Sequence, residues 1–423
     1  MIKIVTREAL DLAEHIRPGD VITWGQATAE PLALIEQLVA QRASIGKFGV
    51  FSGFPLTETL RPEHADFISF TSYGALGLNA KLQAAGVLGL IPCNYSALPL
   101  LIDSGRLAID VVFVQISPPG PDGTHSLGVC NDYLPAAMAR ARLVIAEINE
   151  HAPWSRTDIP LDPELIDFAI TSSRRPPSLQ VPPPGDVERN IAGHIAGVIE
   201  DGATLQYGVG AIPAAVLRAL SGHKDLGLHS GLISEEIIDL VESGVITNAR
   251  KAVNCGVSVG AFAIGGARMK DFLHDNPAIE LHRISSTHGP ATLARIDNLA
   301  ALNSALEVDL YGQVNAEQVG ERYIGAIGGQ VDFMHAAAAA ADGISIIALP
   351  ASFGSSNQSR IVERLSGPLV TTCRTDVDLV VTEYGIADLR GKTLSQRAQS
   401  LTAIARPEHR ERLAAAAKKL FNG

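Results

Sequence analysis

The chain carries one design twice. Residues 19–27 (GDVITWGQA) are echoed by 202–210 (GATLQYGVG), 49–54 (GVFSGF) by 227–232 (GLHSGL), and 143–147 (LVIAE) by 379–383 (LVVTE). The echoes keep their order. Two related α/β halves present matching strand ends, and a ligand is expected where those ends meet. Positions at which the copies differ are then the places to look for chemistry.

Each half alternates strand, turn and helix. Residues 21–24 read as a buried strand and 31–39 as the helix after it. Residues 109–116 read as another strand, ended by Ser117-Pro118-Pro119-Gly120. In the second half, 344–349 and 379–382 are apolar, β-rich runs. Such runs between helices predict an α/β fold with largely parallel sheets covered on both faces. Ligands in such sheets sit beyond the carboxyl ends of the strands. Those ends fall here at 25–28, 52–55, 208–211 and 230–232. The proline-rich stretch 174–186 is neither helix nor central strand, because proline lacks a donor and restricts its neighbour. It divides the chain into domains 1–180 and 181–423, and Asp186 is the expected N-cap of a helix over 187–200. A length of 423 residues suits two to three domains.

Charge and cysteine usage exclude several classes. A net charge of −11 argues against nucleic-acid binding, which needs basic patches. Cys93, Cys130, Cys255 and Cys373 are widely spaced and form no CxxC pair, so they read as reduced thiols of a cytoplasmic protein with no metal site. No signal-peptide core opens the chain, and no apolar run reaches the roughly 18 residues a membrane span needs. The alanine run 336–341 reads as a buried helix segment.

Two glycine-rich turns stand before expected helices. Residues 208–213 (GVGAIP) follow a strand, so the helix N-terminus offers free N–H groups to an oxyanion or phosphate. No Gly-Lys-Ser/Thr follows, and Pro213 stands where a dinucleotide fingerprint has its third glycine. Residues 325–333 (GAIGGQVDF) would bring two backbone donors to one acceptor. Residues 117–128 read mainly as a rigid loop, with Asp122 and His125 holding it, and Asn131 and Asp132 receive the same reading.

Several segments together resemble a known family. Residues 116–119 (ISPP), 126–128 (SLG), 244–248 (GVITN), 328–333 (GGQVDF) and 381–392 (VTEYGIADLRGK) are similar to the acetyl-CoA hydrolase/transferase family, and within it to the 4-hydroxybutyrate and butyryl CoA-transferases of family I. The matches run from about residue 20 to about residue 415. The resemblance implies two open α/β domains, coenzyme A as cosubstrate, and acyl-CoA and carboxylate substrates, in an oligomer. It implies no metal. It also implies ping-pong transfer, in which a glutamate attacks the thioester and passes through an anhydride to an enzyme–CoA thioester. On this reading Val209, Gly210, Ala211, Ile212 and Pro213 bind CoA together with Gly328, Gly329 and Gln330.

The chain departs from that pattern at one place. Where the family reads His-Ser/Thr-Glu-Met, this chain has His229-Ser230-Gly231-Leu232, so the usual nucleophile position holds glycine. The internal echo suggests a replacement. The loop 52–58 is the first-half counterpart of 230–236, which makes Glu58 the expected nucleophile, with Phe54, Pro55 and Leu56 to exclude water. Ala27, Thr28, Phe54 and Gly231 are the expected acyl pocket, and Arg61 a partner for a second carboxylate. Glu235 or Glu236 is the alternative nucleophile, although acids in a first helical turn are favoured by the dipole anyway. A third possibility is lost transferase chemistry, leaving a thioesterase or a CoA-binding protein. Glu30 reads as a helix N-terminal acid. Glu383 reads as a partner for a backbone turn or for Arg390, and Glu147 shares its fold role.

Overall fold

Short β-rich runs of the first half pair into one parallel sheet. Its strands are β1 (Val21–Trp24), β2 (Phe48–Phe51), β3 (Ile68–Ser72), β4 (Leu88–Leu90), β5 (Val111–Ile116), β6 (Leu143–Asn149) and β7 (Phe168–Ser172). Their order is β4-β3-β2-β1-β5-β6-β7, parallel throughout. Every side chain of β5 is buried, as a central strand covered on both faces requires. The computed structural model describes residues 2–179, 182–354 and 357–421. Val181 of the proline-rich stretch, and the division at 180, lie outside them.

The chain forms two compact units. The first is Met1–Leu179 joined by Leu232–Glu235 and Val259–Thr287; the second is Gln180–Gly231, Glu236–Ser258 and His288–Gly423. In the first unit β10 (Leu232–Ser234) pairs in parallel with β11 (Phe262–Ile264). Leu232 and Ile264 pack with Ala27 and Phe54 in one apolar cluster. The Thr28 hydroxyl donates to Ala263 O at 2.7 Å, fastening this added piece to the turn after β1.

The second unit has its own sheet: β8 (Thr204–Tyr207), β9 (Gly227–Leu228), β12 (Leu299–Ser304), β13 (Ile344–Ala348), β14 (Leu379–Thr382) and β15 (Gly385–Asp388). The order is β15-β14-β13-β12-β8-β9, with only the β14–β15 pairing antiparallel among these neighbours. In each sheet the strand order reverses beside the first strand, β1 or β8, the place where sheets of this kind take their ligands.

The first two echoes hold in three dimensions: β8 and β9 stand to each other as β1 and β2 do. The third echo pairs unlike strands. β6 is the second neighbour of β1, whereas β14 is the third neighbour of β8. Their acids do different jobs as well. Glu147 accepts from Ala33 N at the start of the helix Leu32–Ile45, and Glu383 accepts from Ala351 N after β13. Arg390 pairs with Asp388 instead.

Local expectations needed small corrections. The helix after the proline-rich stretch spans Asp186–Ala196 with Gly185 as its N-cap, because Glu188 reaches back to Gly185 N at 2.9 Å. In the alanine run only Ala337 is buried, and Ala340 ends the helix Gln330–Ala339.

Tyr133 is fully buried and sets the end of β1. Its hydroxyl donates to Trp24 O at 2.8 Å while its ring edge packs on Phe51. Tyr133→Phe removes the donor and leaves the carbonyl sealed from water. The expected loss is about 1–2 kcal/mol in chemical denaturation, without a change in the denaturant slope.

Candidate active site

In the first unit the turn after β1 is built on a buried polar platform. Gln26 accepts from the Tyr73 hydroxyl at 2.9 Å and donates to Tyr95, whose hydroxyl lies 3.3 Å from Asp132. The Cys130 thiol donates to the same carboxylate at 3.0 Å. Burial pushes the Asp132 carboxyl up to about 6. These groups satisfy one another, as a rigid support requires. The expected loop holders behave as such: Asp122 accepts from Thr124, and His125 Nδ1 lies 2.7 Å from Ser117 O.

The turn after β2 is clamped to the turn after β1. Ala27 N donates to Phe54 O at 2.8 Å, and Asn79 donates to Gly53 O. Glu30 is 3% exposed and accepts from Leu56 N, Thr57 N and the Thr57 hydroxyl. It is thus a loop clamp rather than the simple helix-terminal acid expected from its place in the sequence. Burial pushes its carboxyl up to about 7 against the opposing pull of those donors. A carboxyl raised in the fold stabilises most below its unfolded value near 4.5, and that contribution is lost as pH rises through 7. The difference is about 3 kcal/mol. Glu30→Gln is expected to flatten the stability profile between pH 4.5 and 7, measured by thermal melts; an unchanged slope would refute the assignment.

The expected site residues of this unit fall close together. Ala27 and Thr28 are buried in the first turn and Phe54 in the second. Glu58 lies further along the same loop, exposed and ion-paired with Lys81, which holds its carboxyl below the usual range. The Arg61 guanidinium donates to Glu58 O at 3.3 Å and pairs with Glu63. Glu235 accepts from Gly266 N. A cavity of about 410 Å³ opens beside Thr28, lined also by Gln115, His151, Arg175 and Lys270. Arg175 and Lys270 bring positive charge to it and Asp271 a negative one.

In the second unit, Val209 is 43% exposed in the turn after β8, while Ile212 and Pro213 are buried at the start of the helix Ala211–Ala219. Gly210 takes a φ of +133°, a conformation side chains rarely adopt. Ser230 ties the two strand ends by donating to Tyr207 O. Gln330 donates to the Thr372 hydroxyl at 2.9 Å. Glu236 pairs with Arg218 at 3.5 Å and opens the helix Glu236–Glu242.

Gly231 lies against a side chain the sequence reading had not singled out. A Cβ placed on Gly231 would stand 2.8 Å from Cε1 and Nε2 of His288, and one on Gly329 would stand 2.5 Å from the same Nε2. The imidazole is 2% exposed and packs edge to face on Phe333 at 4.7 Å between ring centres. Burial first, then His229, depresses its pKa to about 3. Asn248 and Lys251 hold β9 in front of this group. Asn248 accepts from Leu228 N at 2.9 Å, and Lys251 Nζ donates to Leu228 O at 2.7 Å and Val257 O at 2.6 Å. Neither His288 nor Lys251 carries a motif signal; only their contacts single them out.

The comparisons with known proteins match this architecture from end to end. Residues 3–176 match the acetyl-CoA hydrolase/transferase N-terminal domain and residues 265–417 its C-terminal domain. The 4-hydroxybutyrate coenzyme A transferase of Clostridium kluyveri is 43% identical over 99% of this chain and 98% of its own length. The chain belongs to the acetyl-CoA hydrolase/transferase family. Another relative in this family is the butyryl-CoA:acetate CoA-transferase of Anaerostipes caccae, 32% identical over 98% of this chain and 96% of its own. The fold is that of the CoA-transferases. The 4-hydroxybutyrate CoA-transferase of Porphyromonas gingivalis superimposes with a TM-score of 0.83 at 32% identity, covering 99% of this chain and 98% of that one. RipA of Yersinia pestis does so with a TM-score of 0.92 at 32% identity, covering 99% and 97%. Among the described residues, no group of three His, Cys, Asp or Glu is placed to hold a metal, and no helix is long and apolar enough to cross a membrane.

Proposed function

We propose that this protein is an acyl-CoA:carboxylate CoA-transferase moving CoA between a short-chain acyl-CoA and a carboxylic acid. The observation that carries this reading is end-to-end likeness, at up to 43% identity, to proteins named as CoA-transferases. CoA binds along 209–213 and 328–330, where backbone N–H groups face developing oxyanions. One such donor is typically worth about 3 kcal/mol in the transition state. The short acyl group lies against Ala27, Thr28 and Phe54. The two units, each built on its own sheet, are the two CoA-transferase halves, and the protein works as a cytoplasmic homo-oligomer.

Of the candidate acids, we assign the covalent step to Glu58. Its partner Lys81 is as exposed as it is, so the pair is readily broken. Glu235 and Glu236 are already engaged by Gly266 N and Arg218. The Glu58 carboxylate attacks the thioester carbonyl and CoA leaves as thiolate. The thiolate then attacks the glutamyl carbonyl of the anhydride, releasing the first acid and leaving a glutamyl–CoA thioester. The second acid takes the CoA by the reverse steps.

Incubation with butyryl-CoA, reduction with borohydride and peptide mass spectrometry test the assignment. Modification is expected at Glu58. Modification at Glu235 or Glu236 would return the nucleophile to the other loop. Release of free CoA without an acceptor acid would make the protein a hydrolase.

A further inference from the structure

A cavity of about 340 Å³ lies in the second unit, on the approach to the turn at 325–329. Ile324 lines it, and Gly328 is only four residues on, at most about 14 Å of extended chain. Leu306 and Glu307, just past β12, and Phe353, just past β13, also line it, so it sits beyond the carboxyl ends of two central strands. Val319 and Phe353 are exposed, and with Leu306 and Ile324 they give the cavity an apolar wall. Two arginines line it as well. The half-buried Arg360 guanidinium lies 5.0 Å from the centre of the Phe353 ring and donates to Ala305 O at 3.3 Å. Arg322 is exposed, on a short strand paired with Gln318–Val319. Among the described residues neither arginine has a carboxylate within ion-pairing distance. Glu307 is 9% exposed and takes three donors, Asn315 Nδ2, Ser366 N and the Ser366 hydroxyl, all on Oε1. Its Oε2 accepts from no described residue. A carboxylate oxygen left open in a buried side chain beside a cavity needs a donor from whatever fills that cavity.

We infer that this cavity holds the nucleotide end of CoA, with the adenine ring on the apolar wall at Phe353 and the phosphates on Arg322 and Arg360. This rests on the CoA-transferase reading above and places the part of the cosubstrate that does not react. An aromatic side chain on an apolar wall suits a purine, because every base has a face that stacks. Guanidiniums without carboxylate partners suit phosphates, which they grip through paired N–H groups. The open Oε2 of Glu307 suits an amino or hydroxyl group of the nucleoside. The short reach from Ile324 to Gly328 lets the pantetheine arm run from the cavity to the turn whose N–H groups face the thioester. No bond forms or breaks in the cavity; what it supplies is anchorage. Between the two covalent steps CoA is a free thiolate, and the nucleotide contacts keep it from leaving before it attacks the anhydride.

The test joins calorimetry, with CoA and adenosine 3′,5′-bisphosphate as probes, to kinetics on butyryl-CoA. Arg322→Ala and Phe353→Ala change exposed side chains, so both variants are expected to fold, and melting curves check this. Each is expected to weaken both probes by about tenfold, as for the loss of one charge-assisted or stacking contact. Each should lower kcat/KM for butyryl-CoA by a similar factor. The bisphosphate should compete with CoA for one site on the wild type. Variants that bind both probes as the wild type does would overturn the inference while leaving the transferase reading intact. So would a bisphosphate that binds together with CoA, which would give the cavity to a free nucleotide instead. A wild type that turns over no acyl donor would sink the transferase reading. Calorimetry then decides the cavity alone: the same loss in both variants sustains the assignment, and undiminished binding by the variants, or no binding of CoA by the wild type, overturns it.

Discussion

Glu58→Gln is expected to lower kcat/KM for CoA transfer by about 10⁴ or more and to abolish the covalent glutamyl adduct. Loss of a nucleophile removes the whole two-step path, and residual turnover reflects binding and oxyanion contacts alone. Stability should hardly change. The side chain is more than half exposed and its one ion pair, with Lys81, is of a kind that contributes little. Lys81→Ala is the matching control: it frees the same carboxylate without removing it, so activity should persist. Coupled assays of acetyl-CoA formation from butyryl-CoA and acetate give both values. A Glu58→Gln variant with wild-type turnover would move the covalent step off this loop.

Lys251→Met carries the largest expected cost in stability. The ammonium is buried and donates to two main-chain carbonyls, Leu228 O and Val257 O. Methionine fills similar volume and offers neither bond, so both acceptors lose their donor in a site closed to water. The expected loss is about 2–4 kcal/mol. That corresponds to a fall of several degrees in the melting temperature. Activity should fall alongside, because Leu228 immediately precedes His229, Ser230 and Gly231. A melting temperature within about a degree of wild type would show that water replaces the ammonium.

The framework was legible because its signals are local. Strand β5 announced itself as a β-rich run, polar only at Gln115, stopped by Ser117-Pro118-Pro119, and the turns at 208–210 and 325–329 by their glycines. The wording around Gly231 marked it as a position of interest. What fills the space beside it was not legible. His288 lies far along the chain from Gly231 and from Gly329, and it sits in a segment with no periodic pattern. Glu30 was readable as an acid near a helix start, but its three donors come from the next strand's loop. Repeats mislead in their own way: LVIAE and LVVTE share spelling because both are buried strand segments followed by an acid, yet β6 runs on past Glu147 whereas β14 ends before Glu383, and the strands occupy different places in their sheets.

The interleaving of the two units bears on how the protein is made. A ribosome that has released residues up to Leu179 has delivered all seven strands of the first sheet, yet not β10, β11 or the rest of Val259–Thr287. Until those arrive, Ala27 and Phe54 lack Leu232 and Ile264 as packing partners, and the Thr28 hydroxyl lacks its acceptor. The nascent first half therefore waits, with an apolar patch uncovered, through roughly another hundred residues of synthesis, some seconds at ordinary translation rates. A gene cut at the proline-rich stretch would make that wait permanent, yielding a sticky fragment in need of a chaperone.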